Sequence, residues 1–270
     1  MYRSPHDPER MIIAPIRRLD GDDATMDHDA LAVEEPLEIW LGDAPLAVIM
    51  RTPGHDDELA AGFLHGEGLL RGHDDIAALH LWRDAAGNLA ENRVTVELRA
   101  GVPGATAKPA QRRFYAGSSC GLCGKTSIDA VLALAPALEQ RVAPDPDVLY
   151  ALPERLRAVQ SVFDATGGLH GAGLFDLRGN LETAREDVGR HNGVDKLIGH
   201  ALLDDNLPLG RSILLVSGRV SFEIVQKALL ARIPVIAAVS APTSLAVQVA
   251  ARANIVLAGF LRDQKVNLYT

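Results

Sequence analysis

The sequence has few cysteines, no long apolar run and no excess of positive charge, and each shortage excludes a class of protein. Its two cysteines are too few for the disulfide framework of a small secreted protein. No run of about 18 apolar residues occurs, and the N-terminus MYRSPHDPERMIIAPIRRLD lacks the order of a secretory signal. A net charge of −8 argues against general nucleic-acid binding, although it leaves room for a local basic pocket. We expect a soluble cytoplasmic protein that neither spans a membrane nor binds nucleic acid.

The apolar content is that of a folded protein, because 47% of the 270 residues are hydrophobic and can form a sizeable core. Residues 1–30, which include GDDATMDHDA, have no apolar periodicity and are predicted to be a mobile lead-in. Residues 31–112 are predicted to be a small α+β region that ends in a Gly, Ala and Pro-rich linker. Its expected strands are PLEIWLGD, PLAVIMRT and NRVTVELRA, with the helix DELAAGFLHGEGLL between the second and third strands.

Residues 113–270 have the alternating pattern of an α/β domain. The strand-like runs are SVFDAT, GLFDL, SILLVSG, PVIAAVS and NIVLAGF. They alternate with helical runs around residues 188–203, 221–232 and 243–252. The alternation predicts helices packed over a largely parallel or mixed sheet.

Both cysteines lie in one stretch, GSSCGLCG, at residues 117–124. Cys120 and Cys123 precede KTSIDAVLALA, whose apolar spacing predicts a helix, so the pair is expected on a loop near a helix N-terminus. The partial positive charge of that N-terminus, together with Lys125, favours a thiolate. The pair is therefore predicted to serve redox, metal-binding or sulfur-handling chemistry, unless the two cysteines are small apolar residues filling a turn.

A zinc deaminase is the competing interpretation of the cysteines. His65 and Glu67, followed by Cys120 and Cys123, resemble the deaminase set of one His, two Cys and a proton-shuttling Glu. Two features argue against this reading. Ser119 stands where a proline is expected, and the 52 residues between Glu67 and Cys120 include a predicted linker and strand.

Three polar or glycine-rich clusters lie further along the chain. FDATGGLHGAGLFD at 163–176, centred on His170, is either a hairpin with a long glycine turn or a turn that approaches a phosphate or a pterin ring. AREDVGRHNGVDKLIG at 184–199 places eight polar groups around a helix start, more than a helix cap needs. Ser217, Gly218 and Arg219 follow a buried-looking strand, where ligands commonly bind in open α/β sheets. The alternative for Arg219 is a solvated turn residue.

Six separated motifs together resemble the formate dehydrogenase accessory sulfurtransferase family, FdhD. They are RTPGHDDELAAGFLHGEGLL, SSCGLCG, FDATGGLHGAGLF, REDVGRHNGVDKLIG, VSGRVSFEIVQKAL and GFLRDQKVNLYT. The resemblance runs from about residue 31 to the C-terminus. It implies a cytidine-deaminase-like three-layer sandwich with a mixed sheet, without the deaminase reaction, and a role in the maturation of formate dehydrogenase.

The resemblance also implies a chemistry for the cysteines. Cys120 would carry a persulfide received from a cysteine desulfurase. The sulfur would then pass to the bis(molybdopterin guanine dinucleotide) molybdenum cofactor before that cofactor enters apo formate dehydrogenase. Cys123 would either release the sulfur by forming a disulfide or hold the thiolate. No metal is expected on the protein's own side chains, and a homodimer is expected.

The implied cofactor-binding stretch lies near the C-terminus. It comprises Phe260, Leu261, Arg262, Asp263, Gln264 and Lys265. Arg262 and Lys265 offer positive charge to the cofactor's phosphates, and Phe260 can stack on guanine or pterin, so guanine nucleotides are expected to bind as fragments of the cofactor. A strand end followed by a turn is the alternative for this stretch. A protein that binds and delivers the cofactor without transferring sulfur is the alternative function.

Overall fold

The computed structural model describes residues 2–3, 7, 9–83, 89–102, 114–115, 129, 132 and 134–270. The helices in this part of the chain are α1 (Asp56–Gly66), α2 (Pro146–Arg157), α3 (Ser161–Thr166), α4 (Arg190–Leu203), α5 (Phe222–Leu230) and α6 (Ser244–Arg252). The strands are β1 (Tyr2–Arg3), β2 (Met11–Asp20), β3 (Asp23–Ala32), β4 (Glu35–Leu41), β5 (Ala44–Arg51), β6 (Ile76–Arg83), β7 (Leu89–Leu98), β8 (Phe114–Tyr115), β9 (His170–Asp176), β10 (Leu181–Asp187), β11 (Ser212–Val216), β12 (Val235–Ala238), β13 (Val256–Arg262) and β14 (Lys265–Leu268). Among the described residues, no helix has both the length and the apolar character needed to cross a membrane.

The first sheet is a hairpin within residues 2–32, most of which the sequence analysis predicted to be a mobile lead-in. β2 and β3 pair antiparallel along their whole lengths, and the short β1 adds to β2. Gly21 opens the two-residue loop between them at φ 59, a conformation that favours glycine. Most residues of β3 are exposed on both faces, so the strand lacks the alternation of apolar and polar residues from which a strand is predicted. The hairpin is held by its backbone hydrogen bonds.

The second sheet has the strand order β6-β7-β4-β5-β8 and packs one face on α1. Leu37 and Ile39 of β4 and Val94 of β7 are fully buried in the same apolar cluster as Leu59 and Leu64 of α1. The three strands and the helix predicted in this region are confirmed as β4, β5, β7 and α1. β6 is a further strand that the sequence analysis did not predict.

The third sheet has the order β10-β9-β11-β12-β13-β14. β11, β12 and β13 are parallel, whereas β9, β10 and β14 pair antiparallel to their neighbours. Leu214 and Val216 of β11 face the core formed with α4, α5 and α6, while Ile213 and Leu215 face α2. The mixed sheet with helices on both faces confirms the predicted mixed α/β class.

The run SVFDAT was predicted as a strand, but it forms the short helix α3. A carboxylate from another element fixes the start of this helix, because the backbone N–H groups of Val162 and Phe163 donate to the Glu186 side chain of β10. Gly167 then ends the helix at φ 66. The glycine stretch is therefore not a hairpin turn. It joins α3 to β9, and β9 reaches β10 through a separate short turn around residues 177–180.

Helices α1 and α4 cross backbone to backbone and join the second sheet to the third. A Cβ atom on Gly62 would lie 1.9 Å from the Asp195 carbonyl oxygen, and one on Gly199 would lie 1.8 Å from the Glu58 carbonyl oxygen. Glycine is required at both positions because no side chain fits at these distances. The crossing fixes the start of α4, where several of the predicted functional residues lie.

Candidate functional site

The carboxyl ends of the three parallel strands meet at one edge of the third sheet. Ser217 follows β11, Val239 and Ser240 follow β12, and Phe260 lies near the end of β13. His170, the first residue of the antiparallel β9, reaches the same edge beside Ser217. In open α/β sheets this is the edge at which ligands bind.

A groove of about 710 Å³ opens at this edge between the sheet and helices α2 and α3. Its walls include the apolar side chains of Leu156, Phe163, Leu169 and Val239 and the polar residues Gln160, His170 and Ser217. This volume and this mixture of apolar walls with a few polar groups are typical of small-molecule sites.

Hydrogen bonds and close contacts with Gly171 of β9 hold the polar groove residues Ser217 and Gln160 in place. The Ser217 hydroxyl accepts a hydrogen bond from the Gly171 N–H at 2.9 Å, and the Ser217 N–H donates to the Gly171 carbonyl at 2.9 Å. A Cβ atom on Gly171 would lie 2.4 Å from Nε2 of Gln160, so glycine at this position lets the Gln160 amide lie against β9. Gln160 is only 5% exposed, and what remains accessible of it lines the groove.

Basic side chains gather around Gly218, next to the groove. A Cβ atom on Gly218 would lie 3.2 Å from Nδ1 of His170 and 3.4 Å from Cβ of Arg190. Burial lowers the pKa of His170, and the charges of Arg190 and Arg219 act in the same direction, so the neutral imidazole is favoured. Neither arginine forms an ion pair with another described residue, and Nε of Arg190 is buried without a hydrogen-bond partner.

A compact polar cluster borders these arginines at the start of α5. Nε2 of His191 lies 2.9 Å from the Ser221 hydroxyl and 3.1 Å from the Glu223 carboxylate. The Ser221 hydroxyl donates to the same carboxylate at 2.9 Å. The three groups satisfy one another, so Ser221 makes no side-chain cap to its own helix.

The eight polar residues predicted around the start of α4 divide into two groups. Six are bound to partners within the fold: Arg185 to Glu58, Glu186 to the N-terminus of α3, Asp187 to Lys196, Asn192 to the Met50 carbonyl, and Asp195 to Lys227. The other two lie at the sheet edge, where His191 contacts Ser221 and Glu223 and Arg190 has no ion pair with another described residue. Sequence spacing therefore identified a polar segment but could not separate the residues that the fold uses from the rest.

The predicted cofactor-binding stretch forms the tip of the β13–β14 hairpin. Asp263 and Gln264 are the two turn residues, with φ 51 and φ 53, and Arg262 pairs with Lys265 across them. All four are exposed. Phe260 is 39% exposed at φ 54, and its N–H donates to the Ser240 carbonyl at 3.0 Å. This contact places Phe260 next to the β12 segment that lines the groove.

Leu261 differs from its neighbours in this stretch. Its side chain is 1% exposed and belongs to the core between the sheet and α2. Any contact between Leu261 and a ligand at this hairpin would therefore have to come from its backbone.

The two cysteines, Cys120 and Cys123, lie outside the described residues, as do Lys125 and most of the helix predicted after them. His65, the histidine of the competing deaminase set, is buried in α1, where its Nδ1 lies 3.0 Å from the Leu70 carbonyl. Burial lowers the pKa of His65. Within the described ranges, no three His, Cys, Asp or Glu side chains are grouped closely enough to hold a metal ion.

The fold and this edge define a mixed α/β protein with a ligand groove beside a basic cluster. The model of the FdhD/NarQ family matches residues 32–270. A relative from Streptomyces avermitilis named Sulfur carrier protein FdhD is 51% identical over 261 residues, which cover 94% of this chain and 91% of the relative. A relative of the same name from Mycobacterium tuberculosis is 47% identical over 271 residues, which cover 94% and 95%. The chain belongs to the FdhD/NarQ family, as the six motifs predicted.

A solved structure supports the fold. A protein from Desulfotalea psychrophila, described as a formate dehydrogenase accessory protein, matches this chain with a TM-score of 0.73 over 97% of both chains. The two sequences are 22% identical, so the likeness bears on the fold alone.

Proposed function

We propose that this chain is a sulfur carrier that takes persulfide sulfur from a cysteine desulfurase onto Cys120 and transfers it to the bis(molybdopterin guanine dinucleotide) cofactor of formate dehydrogenase. The observation that carries the proposal is the family match over residues 32–270, which includes both the cysteine motif and the 260–265 stretch. The name of the relatives from Streptomyces avermitilis and Mycobacterium tuberculosis supports sulfur carriage.

The loading step is a thiol–persulfide exchange. The Cys120 thiolate attacks the outer sulfur of the desulfurase persulfide, a sulfur–sulfur bond forms at Cys120, and the desulfurase cysteine leaves as a thiolate. For release, the Cys123 thiolate attacks the inner sulfur, so that a Cys120–Cys123 disulfide forms and the outer sulfur leaves as hydrosulfide for the cofactor. A thiol reductant then restores the two cysteines. If Cys123 only holds the thiolate, an external thiol makes the release attack instead.

The cofactor is a substrate in this scheme, and we place it at the carboxyl edge of the third sheet. The groove and the exposed Phe260 support this placement, as do the positive charges of Arg262 and Lys265. Helices on both faces of a mixed sheet support a cytidine-deaminase-like fold. Apo formate dehydrogenase would receive the loaded cofactor from a homodimer of this chain in the cytoplasm.

The sulfur relay is tested by mass spectrometry after incubation with a cysteine desulfurase and cysteine. The wild-type protein should gain one sulfur atom, Cys120→Ala should gain none, and Cys123→Ala should still be loaded. In cells, Cys120→Ala should abolish formate dehydrogenase activity while the purified variant keeps its fold. A wild-type protein that gains no sulfur would favour the alternative, a chaperone that binds and delivers the cofactor without transferring sulfur.

The cofactor site is tested by calorimetry with GDP. The double variant Arg262→Ala, Lys265→Ala should bind GDP at least about ten- to a hundredfold more weakly than wild type, because the loss of even one charge-assisted hydrogen bond costs about 1.5–3 kcal/mol. Binding should also weaken with salt, since positive side chains hold an anion. Equal affinities would move the phosphate contacts away from the hairpin. Stoichiometric zinc in the same preparation would instead revive the deaminase interpretation.

A further inference from the structure

A small cavity lies at the edge of the third sheet opposite the groove. The segments that carry Pro208 and Arg232 precede β11 and β12, so they lie at the amino ends of the parallel strands. The cavity has a volume of about 210 Å³, and its walls come from α1, the segment between α1 and β6, the α4–β11 loop and the end of α5. None of its described lining residues belongs to the stretch assigned to the cofactor above.

His65 of α1 has a ring nitrogen that the fold leaves without a partner. The residue is 4% exposed and lines the cavity. Its Nδ1 lies 3.0 Å from the Leu70 carbonyl, and because a carbonyl can only accept, Nδ1 carries the ring hydrogen. Burial lowers the pKa of His65, which favours the neutral ring. Nε2 is then a buried lone-pair acceptor, and it has no hydrogen-bond partner among the described residues.

A second carbonyl near the ring does not satisfy this lone pair. The Leu230 carbonyl lies close enough to act on the pKa of His65, raising it as the Leu70 carbonyl does, although burial outweighs both. A carbonyl oxygen is an acceptor, so it offers no hydrogen to the lone pair of neutral Nε2. A buried acceptor without a donor is unfavourable by about 1–3 kcal/mol, and a ligand that brings an O–H or N–H group would remove that penalty.

The cavity also carries positive charge. Arg71 and Arg232 line it, and Asp205 is the one acidic residue among its described lining residues. The Arg232 guanidinium donates to the carbonyls of Pro136 and Ala137, which are uncharged and do not neutralise it. Arg71 is exposed and forms no ion pair within the described part of the chain. Guanidinium groups in this setting attract oxyanions.

We propose that this cavity binds inorganic phosphate, with Nε2 of His65 accepting the P–OH hydrogen while Arg71 and Arg232 donate to the other oxygens. Phosphate suits both features, because at neutral pH it is an anion that keeps at least one hydroxyl group. Sulfate has the same tetrahedral shape but no hydroxyl at this pH, so one of its oxygens would face the Nε2 lone pair. The site therefore selects phosphate over sulfate. It lies apart from the proposed sulfur chemistry and does not depend on it.

Calorimetry with sodium phosphate and sodium sulfate at pH 7 and constant ionic strength tests this selectivity. Wild type should bind phosphate about tenfold or more tightly than sulfate, because only phosphate gives the buried acceptor a hydrogen bond. Equal affinities for the two anions would overturn the assignment, and so would the absence of phosphate binding.

Two substitutions of His65 separate its two ring nitrogens. The amide N–H of asparagine reaches about the position of Nδ1, so His65→Asn keeps the bond to the Leu70 carbonyl and removes Nε2. Phosphate should then bind about tenfold more weakly, and its preference over sulfate should disappear. The amide of glutamine reaches about the position of Nε2, so His65→Gln should retain the preference. A wild-type preference in His65→Asn would overturn the role of Nε2.

The arginines should act on both anions alike. Arg71→Gln and Arg232→Gln should each weaken phosphate and sulfate binding by about ten- to a hundredfold and leave the ratio of the two affinities unchanged. Arg211→Gln is the matched control, because it removes the same charge just before β11 without lining the cavity, and it should bind both anions like wild type.

Thermal unfolding of each variant shows whether it is folded before the titration. Arg71→Gln removes no side-chain contact of the described residues, so it keeps the proposal testable even if His65→Asn does not fold. In that case, weaker anion binding in Arg71→Gln together with the wild-type preference for phosphate would support the site. Wild-type anion binding in Arg71→Gln would overturn it.

Discussion

Two charged regions of the molecule meet in the segment 187–196, yet they are built in opposite ways. Around the α1–α4 crossing, buried charges are paired: Asp187 with Lys196 at 2.7 Å, Asp195 with Lys227 at 2.6 Å, and Arg51 with Asp56 at 2.9 Å. At the sheet edge, Arg190 and Arg219 have no ion-pair partner in the described part of the chain.

The difference distinguishes charge that holds the fold from charge that is available for binding. A buried ion needs a partner because its desolvation is unfavourable, and once paired it is not available to a ligand. An arginine without an ion pair has no such pairing energy to lose on substitution. Substitutions in the first region should therefore change stability, and substitutions in the second should change binding.

The largest effect is expected for Lys196→Met. Lys196 pairs with the buried Asp187 and also donates to the Thr52 carbonyl at 2.9 Å, so its removal leaves a buried carboxylate without its cation. The free energy of unfolding should fall by about 3–5 kcal/mol. Urea denaturation at pH 7 measures the change, with the exposed Lys265→Met as the control. Near wild-type stability in Lys196→Met would break the distinction between the two regions.

A smaller, pH-dependent effect is expected at Glu58. Burial disfavours its charged form, but the hydrogen bonds from Arg185 and His55 outweigh burial and lower the pKa of Glu58 from 4.5 to about 2. The folded protein therefore keeps this carboxylate charged at a pH where the unfolded chain protonates it. Its stabilisation is complete above pH 4.5 and is lost as the pH falls from 4.5 towards 2.

Glu58→Gln removes the titrating carboxylate, so the contribution of Glu58 to stability can be measured by comparing the variant with wild type. Urea denaturation at several pH values should show a variant that is less stable than wild type at pH 7 and loses less stability between pH 4.5 and 2. Glu139→Gln, at an exposed position, should follow the wild-type curve. Parallel curves for Glu58→Gln and wild type would mean that the Arg185 contact does not stabilise the fold.

The smallest effect on stability is expected for Arg190→Gln and Arg219→Gln. Because neither side chain has an ion pair to lose, the free energy of unfolding should change by no more than about 0.5 kcal/mol. Thermal unfolding of the two variants beside wild type measures this. A large destabilisation would place these arginines with the structural charges and remove the contrast on which the binding role depends.

Much of the fold could be predicted from apolar periodicity. The buried strands β11, β12 and β13 and the helices α4, α5 and α6 all follow runs in which core residues recur at regular spacing. The failures share one cause, which is dependence on a distant partner. SVFDAT has strand-forming residues but becomes helical because Glu186 bonds its first N–H groups, and the β2–β3 hairpin depends on backbone pairing between largely exposed residues.

The candidate site could be predicted only in outline. Ser217, Gly218 and Arg219 were located because a buried strand followed by a helix marks the ligand edge of a parallel sheet. Gln160 was missed, since its burial depends on Gly171 in another element and nothing in its local sequence indicates a cavity. Leu261 shows the opposite error. The resemblance placed it in the cofactor-binding stretch, but its side chain lies in the core.

The crossing of α1 and α4 at Gly62 and Gly199 has a consequence for how the protein melts. Where side chains separate two helices, their rotamers can change and the helices can move apart gradually. At this crossing the two backbones are in direct contact, so we expect the contact to break in one step. Its loss would open the second and third sheets to water together, along with the ion pairs around it. Heat should therefore unfold both sheets in a single cooperative transition, and a fragment that begins after residue 112 would have no partner for the Gly199 face of α4.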